Sequence, residues 1–181
     1  MKYIALLRGI NISGKNKISM NELKLVLEEN KYQNVLTYLN SGNVIFESNI
    51  DDKESIMKNI HEIIKNKSNL EIPVFVMTVF ELEEILNNNP NWWGTDNKEI
   101  YDNLIFIIPP TKYKEVYDVI GEPSEEIEKI KEYNNFIFWS YDLKNYRKSN
   151  WWIKTASTDI KDKITIRTAT TMKKVLEICR R

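Results

Sequence analysis

A glycine-spaced basic segment, GINISGKN (9–16), follows directly after an apolar run near the start of the chain. Its spacing fits the phosphate-loop pattern G-x-x-x-x-G-K-[ST] except at the last position, where Asn16 replaces the hydroxyl residue. A phosphate loop uses that hydroxyl to hold magnesium, and its lysine stands at the start of a helix. Here a capping sequence places the helix start at Ser19, well after Lys15. The segment is therefore not predicted to be a nucleotide-hydrolysing loop.

A broader anion site is still compatible with this segment. Gly9 and Gly14 let the backbone bend and present its N–H groups. Arg8 offers a planar fork for a phosphate or carboxylate, and Lys15 and Lys17 add point charges. The alternative is that the two glycines only form a long turn and that Arg8 pairs with an acid. The residues leave both interpretations open.

A second polar segment, Ser41-Gly42-Asn43, lies between two apolar runs and is expected to approach the basic segment at one edge of the sheet. The amides of Asn11 and Asn43 could donate hydrogen bonds to a ligand, or they could cap backbone groups. Two cations near the C-terminus could join them. The hypothesised ligand-binding residues are Arg8, Asn11, Lys15, Lys17, Ser41, Asn43, Arg167 and Lys174.

The segment 141–157 mixes cations with aromatic residues. Its members are Lys144, Tyr146, Arg147, Lys148, Trp151, Trp152 and Lys154. Basic side chains neutralise phosphates and aromatic faces stack on bases, so the mixture suits single-stranded nucleic acid. The stronger expectation is that one tryptophan packs into a core while the lysines remain solvated.

Few residues are available for catalysis or metal binding. The chain of 181 residues has one cysteine, Cys179, and one histidine, His61. Structural zinc typically needs four Cys or His ligands, so no metal is predicted, and no disulfide can form within the chain. Ser41 has no evident base beside it in sequence, and no catalytic residue or cofactor is predicted.

Charge and hydropathy indicate a cytoplasmic protein. No apolar run approaches the roughly 18 to 20 residues that span a bilayer, and the start of the chain lacks the pattern of a cleaved signal peptide.

The net charge is zero, but residues 1–20 carry +4, residues 143–181 carry +8 and the middle carries −12. Such asymmetry can form a local basic face on a neutral chain.

Apolar periodicity in the first half predicts the order β-α-β-β-α-β. The expected elements are a strand at 3–8, a helix at 20–30, strands at 35–40 and 43–48, a helix at 52–67 and a strand at 72–78. This is the split βαβ, ferredoxin-like plan, an α+β fold with helices on one face of a mainly antiparallel sheet.

The second half predicts a similar plan less clearly. We expect helices at 80–88, 112–120, 149–157 and 169–181, an acidic helical turn or two at 124–132, and strands at 103–110, 135–142 and 163–168. The expected domains are 1–78, which carries the basic segment, and 79–181, whose C-terminal part is basic. A loop containing Trp92 and Trp93 is expected to be apolar and exposed, and either to pack between the two halves or to mark an interface.

The chain resembles domain-of-unknown-function family 1697, bacterial proteins of no established activity. The resemblance rests on YIALLRGINISGKNKISMNELK (3–24), on TYLNSGNVIF (37–46) and on ITIRTATTMKKVLEI (164–178). It implies two ferredoxin-like (alpha-beta plait) halves and no reaction. The chain departs from the family pattern at Ser13, at Asn40 and at Thr168-Ala169-Thr170, and the last change removes an aromatic residue that could stack.

Three functional interpretations follow from these residues. The favoured one is a protein that binds a phosphate-bearing ligand or nucleic acid through the basic segment. The second is an enzyme that uses the same segment to hold a phosphorylated or carboxylate small molecule. The third is an oligomerising or protein-interaction module built on the Trp92-Trp93 loop.

Overall fold

Eight strands form two four-stranded antiparallel sheets in the computed structural model, which describes residues 1–181, and six α-helices accompany them. The chain divides into two compact units. The first unit is Met1–Glu83 with Val175–Arg181, and the second is Glu84–Lys174. The α+β architecture expected from the sequence is therefore confirmed, whereas the division into domains 1–78 and 79–181 stays a prediction.

The first unit follows the predicted order of elements. They are β1 (Lys2–Leu7), α1 (Met20–Glu29), β2 (Gln33–Tyr38), β3 (Asn43–Glu47), α2 (Lys53–Ser68) and β4 (Val74–Thr78). The strands lie in the order β2-β3-β1-β4, and every neighbouring pair is antiparallel. Helix α3 (Val79–Asn87) begins in this unit.

The core of the first unit lies between its sheet and its helices. Tyr3, Ala5 and Leu7 alternate along β1 and join Leu23 of α1 and Ile60 of α2 in one buried cluster. The intervening residues of β1 are buried as well, so the strand is enclosed on both faces. An uninterrupted apolar run is typical of such a strand. This central strand fixes the position of the basic segment that follows it.

The second unit repeats the order of the first. Its elements are β5 (Ile100–Ile107), α4 (Tyr113–Ile120), β6 (Glu128–Tyr133), β7 (Phe136–Asp142), α5 (Asn150–Ser157) and β8 (Ile164–Thr168), and α6 (Ala169–Cys179) begins here and ends in the first unit. The strand order is β6-β7-β5-β8. Short 3-10 helices at Tyr146–Lys148 and Asp159–Asp162 flank α5.

The helical turns predicted at 124–132 are wrong, because most of that segment is strand β6. A single turn, in which Glu128 N donates to Ser124 O (3.1 Å), leads into the strand. The two-residue turn Asn134-Asn135, with φ of 48° and 68°, joins β6 to β7 as an antiparallel hairpin. Paired left-handed residues are the signature of a tight hairpin turn, and this signal outweighs the acidic composition.

The core of the second unit contains the bulky residues of β5, β7 and α5. Ile105, Ile137 and Trp139 pack with Trp151, which is fully buried. None of the six helices has both the length and the apolar character that a membrane crossing requires.

Candidate functional site

The segment Arg8–Lys17, called here the basic loop, has a strongly curved backbone. Asn11, Ser13 and Asn16 have φ of 55°, 48° and 46°, in the left-handed region that most residues avoid. Lys15 N donates to Ile12 O (2.9 Å) and closes a tight turn. Lys15 therefore lies at a turn and not at a helix start, as the sequence predicted when it excluded a phosphate loop.

The Asn11 side chain links the basic loop to Ile18, which follows it, and to Asn40. Its Nδ2 donates to Ile18 O and to Asn40 O, both at 2.9 Å, and its Oδ1 accepts from Ile18 N at 2.9 Å. These bonds occupy both amide hydrogens. The Asn11 side chain thus positions the backbone of the loop, and a ligand contact of this residue stays a prediction.

The Ser41–Asn43 segment packs against the end of β1, beside the start of the basic loop. Leu7 N donates to Gly42 O (2.8 Å). A Cβ atom at Gly42 would lie 2.6 Å from Leu7 Cβ and 2.9 Å from Ile10 Cδ1, and its φ is +79°. Only glycine fits this close approach. The structure thus brings together the two segments that the sequence placed side by side.

Asn43 stabilises the turn between β2 and β3 with its side chain, and a ligand contact of this residue stays a prediction. The residue is fully buried, and its Nδ2 donates to Tyr38 O (2.8 Å) and Ser41 Oγ (3.1 Å). A buried amide with both hydrogens used stabilises the turn, as the alternative interpretation expected. Ser41 itself is exposed at the surface.

The cations of the basic loop differ in exposure. Lys15 and Lys17 are exposed and form no salt bridge, whereas Arg8 is half-buried and its backbone N–H donates to Pro73 O (2.9 Å). The Lys17 side chain lies over Gly14, at 4.0 Å from the position of a Cβ atom there. Two of the predicted cations are therefore available to a ligand from solution.

A cleft of about 510 Å³ opens between the basic loop and the start of α1. It is lined by Asn11, Gly14, Lys17, Ile18, Ser19, Met20, Asn21 and Asn40. Lys17 is the charged residue among them. The first backbone N–H groups of a helix lack helical acceptors, and the helix dipole favours an anion there. Ser19 Oγ caps one of them by accepting from Glu22 N (3.3 Å).

Arg167 and Lys174 belong to the second unit. Arg167 is 8% exposed, and its Nη1 donates to Thr165 Oγ1 (2.9 Å) and Ile166 O (2.8 Å). Lys174 is half-buried on α6. Arg167 thus binds its own strand, and a ligand contact of either residue stays a prediction.

The aromatic and basic segment 141–157 separates into buried and exposed parts. Trp151 is fully buried and its Nε1 donates to Gly121 O (3.0 Å), whereas Trp152 is 38% exposed. Lys154 Nζ donates to Ile120 O (2.6 Å). The expectation that one tryptophan enters the core agrees with the structure, although the neighbouring indole remains at the surface.

The expected exposure of both tryptophans in the Trp92-Trp93 loop is wrong for Trp93. This residue is 2% exposed, its Nε1 donates to Asn103 O (2.6 Å) and its ring lies 5.0 Å from that of Phe138. Because the Trp93 ring packs on the sheet of the second unit, the loop does not expose two adjacent indoles. Only Trp92 remains, half-buried.

A cleft of about 500 Å³ in the second unit was not anticipated from the sequence. Its lining includes Trp92, Tyr141 and Glu128. The buried Glu128 carboxylate accepts from Ser124 N (2.8 Å), Trp151 N (3.2 Å), Trp139 Nε1 (3.0 Å) and the Ser149 hydroxyl. These donors come from four separate positions along the chain, so no local pattern could reveal that this acid is a structural brace.

The cysteine and histidine of the first unit have separate surroundings. Burial raises the pKa of the Cys179 thiol to about 11, so the thiol is protonated at neutral pH. His61 contacts Ile72 O through Nδ1 (2.9 Å) and Glu71 Oε2 through Nε2 (2.9 Å). Neither residue is arranged as half of a Cys–His catalytic pair.

The protein is an α+β protein whose two antiparallel sheets have equivalent strand orders. Residues 1–138 match the family described as protein of unknown function, DUF1697, and the chain belongs to that family. A solved structure of a conserved bacterial protein, SP0830 from Streptococcus pneumoniae, is 26% identical and covers 97% of each chain with a TM-score of 0.85. No curated protein matches the chain.

Proposed function

We propose that the protein binds a phosphate-bearing anion at the basic loop. The observation that carries this proposal is the exposure of Lys15 and Lys17, neither paired with an acid, where Lys17 lines a cleft formed with the N-terminus of α1. A lysine supplies charge and a helix N-terminus supplies N–H donors, which is the combination that recognises phosphate.

The shape of the basic loop supports the proposal, because it is fixed before any ligand arrives. Asn11 joins the loop to Ile18 and Asn40, and Asn16 Nδ2 donates to Gly9 O (3.0 Å). A loop that is already ordered loses less conformational freedom on binding. In the proposed site Lys15 and Lys17 contact the anion, Ser41 adds a hydroxyl, and Asn11 and Asn43 only position the backbone.

We also propose that each half is a ferredoxin-like domain and that the protein is cytoplasmic. The strand order β2-β3-β1-β4, with α1 and α2 in the two crossovers, supports the first point, and the second unit has the equivalent order. The buried free thiol of Cys179 and the lack of other cysteines agree with a reducing compartment.

The test is calorimetric titration with inorganic tripolyphosphate at low salt. We expect measurable binding that weakens at least about tenfold in Lys15→Ala/Lys17→Ala, because a hydrogen bond to a charged group contributes about 1.5–3 kcal/mol. The matched control is Lys58→Ala/Lys67→Ala, which removes the same charge from exposed positions on α2.

Two results would contradict the proposal. One is the absence of tripolyphosphate binding by the wild-type protein at low ionic strength. The other is an equal loss in the loop variant and the α2 variant, since this would show a general effect of net charge and not a site.

A further inference from the structure

The second unit presents an exposed indole beside two cations that no carboxylate neutralises. We call Tyr146, Arg147, Lys148 and Trp152 the aromatic–basic patch. Trp152 is 38% exposed, and Arg147 and Lys148 are exposed and form no salt bridge. This feature lies on a different unit from the basic loop and plays no part in the function proposed above.

Helix geometry directs the Trp152 ring outward. Ser149 is fully buried and its Oγ accepts from Trp152 N (3.0 Å), which fixes the first turn of α5. Trp151 anchors that turn in the core. Successive residues of an α-helix are about 100° apart, so an inward Trp151 turns the next side chain away from the core.

The patch is already ordered in the free protein. The rings of Tyr146 and Trp152 lie 4.8 Å apart at 73°. Arg147 Cζ lies 5.6 Å from the centroid of the Tyr146 ring, and Arg147 Nε donates to Tyr146 Oη (3.1 Å). An indole and a guanidinium held in this way lose little side-chain freedom when they contact a ligand.

The local charge is positive. Residues 143–158 contain four cations and no acid. Lys144 forms a salt bridge with Glu99 (2.6 Å), and Lys154 Nζ donates to Ile120 O, so these two cations already have partners within the protein. Arg147 and Lys148 are therefore the cations of this segment that are available to an anionic ligand.

We infer that the aromatic–basic patch binds single-stranded nucleic acid, with a base stacked on Trp152 and phosphates contacted by Arg147 and Lys148. Aromatic faces accept any base, and cations beside them follow the phosphate backbone. Charge complementarity and an available indole favour this polymer over other anions, because a simple phosphate does not use the ring. A duplex hides its base faces, so it is expected to bind more weakly.

The experiment measures fluorescence anisotropy of a dye-labelled oligothymidine of about 12 nucleotides, within the range bound by single-strand modules. Trp152→Leu is expected to weaken binding by about 5- to 100-fold through the loss of one stacked base. Arg147→Gln/Lys148→Gln is expected to reduce the slope of log affinity against log salt by about 1.4, which corresponds to two phosphates.

Matched controls come from the same unit. Trp92→Leu removes a half-buried indole outside the patch, and Lys129→Gln/Lys131→Gln removes two exposed cations from β6. Both are expected to bind the oligothymidine as the wild type does. The loop variant Lys15→Ala/Lys17→Ala is also expected to bind normally, which separates this inference from the function proposed for the basic loop.

Four outcomes would overturn the inference. The first is no binding of the oligothymidine at low salt, and the second is binding that Trp152→Leu leaves unchanged. The third is an equal loss in the patch and β6 variants. Preferential binding of the matching duplex would also contradict a stacked base, since paired bases are not open to an indole.

Discussion

The two halves of the chain share one strand order but differ in the connections between equivalent strands and helices. In the first half the connection from β1 to α1 spans residues 8–19 and carries the exposed Lys15 and Lys17. The equivalent connection from β5 to α4 spans residues 108–112, and its Thr111 is buried. The same position in the fold is therefore a long loop with several cations in one half and a five-residue turn in the other.

In the later crossover the second half has the more elaborate connection. Between β3 and β4 the first half has the single helix α2, whereas between β7 and β8 the second half has α5 flanked by two 3-10 helices. The aromatic–basic patch lies in this second connection. The sheets therefore supply a common frame, while any binding chemistry resides in the connections between elements.

The largest loss of stability is expected from a substitution of Gly42. Gly42→Ala is expected to lower the free energy of unfolding by about 2–5 kcal/mol. A residue with a Cβ in the left-handed region costs roughly 1–2 kcal/mol, and overpacking against Leu7 and Ile10 adds about 1–3 kcal/mol. Denaturant unfolding measures the change.

The matched control for that prediction is Gly14→Ala. Gly14 has φ of +78°, but its nearest neighbour to an added Cβ is Lys17 Cε at 4.0 Å. Only the backbone cost of about 1–2 kcal/mol is expected. Equal losses at both glycines would show that the close approach of Gly42 to β1 contributes nothing to stability.

Local signals predicted much of this fold, and the reasons are visible in particular elements. The buried strand β1 and the Ser19-capped helix α1 were predicted from short, strong patterns, and both are confirmed within one or two residues. Strand β6 was missed because its acidic residues favour a helix, whereas its pairing with β7 is a property of the hairpin.

The candidate site was predicted only in part, because residue type does not reveal whether a side chain already has partners. Lys15 and Lys17 are exposed, whereas Asn11 and Asn43 use both of their amide hydrogens within the chain. Asn11 bonds to Asn40, which is distant in sequence. Such contacts depend on tertiary structure and lie beyond any local pattern.

An asparagine side chain braces each of the two equivalent connections. Asn11 holds the basic loop, and in the second half Asn135 accepts from Tyr113 N (2.7 Å) and donates to Thr111 O (3.3 Å). Both have positive φ, so Asn11→Gly and Asn135→Gly remove the side chain without straining the backbone. Each variant is expected to lose about 1–3 kcal/mol of unfolding free energy.

The two brace variants should differ in ligand binding although they are similar in stability. Asn11→Gly is expected to weaken tripolyphosphate binding as well, since the basic loop loses its fixed shape, whereas Asn135→Gly is expected to leave it unchanged. Calorimetric titration of both variants checks this. Unaltered binding by Asn11→Gly would separate the shape of the loop from anion recognition.

The smallest expected effect concerns two helix caps, one in each half. Glu115 accepts from Lys112 N (2.9 Å) at α4, and Glu81 accepts from Thr78 N (2.8 Å) at α3. Glu81 differs because it also pairs with Lys53. Burial acts to raise the pKa of Glu81, but the hydrogen bonds from Lys53 and Thr78 outweigh it and hold the pKa below its ordinary value of 4.5.

The direction of that shift sets the pH dependence. A carboxyl whose pKa is lower in the folded state contributes stability above its unfolded pKa and loses it as pH falls through the folded pKa. Wild-type stability should therefore decrease below about pH 4.5 more steeply than that of Glu81→Gln, which is expected to be about 1 kcal/mol less stable at neutral pH. Urea unfolding at several pH values measures both, with the exposed Glu29→Gln as control. Parallel pH profiles for wild type and Glu81→Gln would show that the Lys53–Glu81 pair contributes no pH-dependent stability.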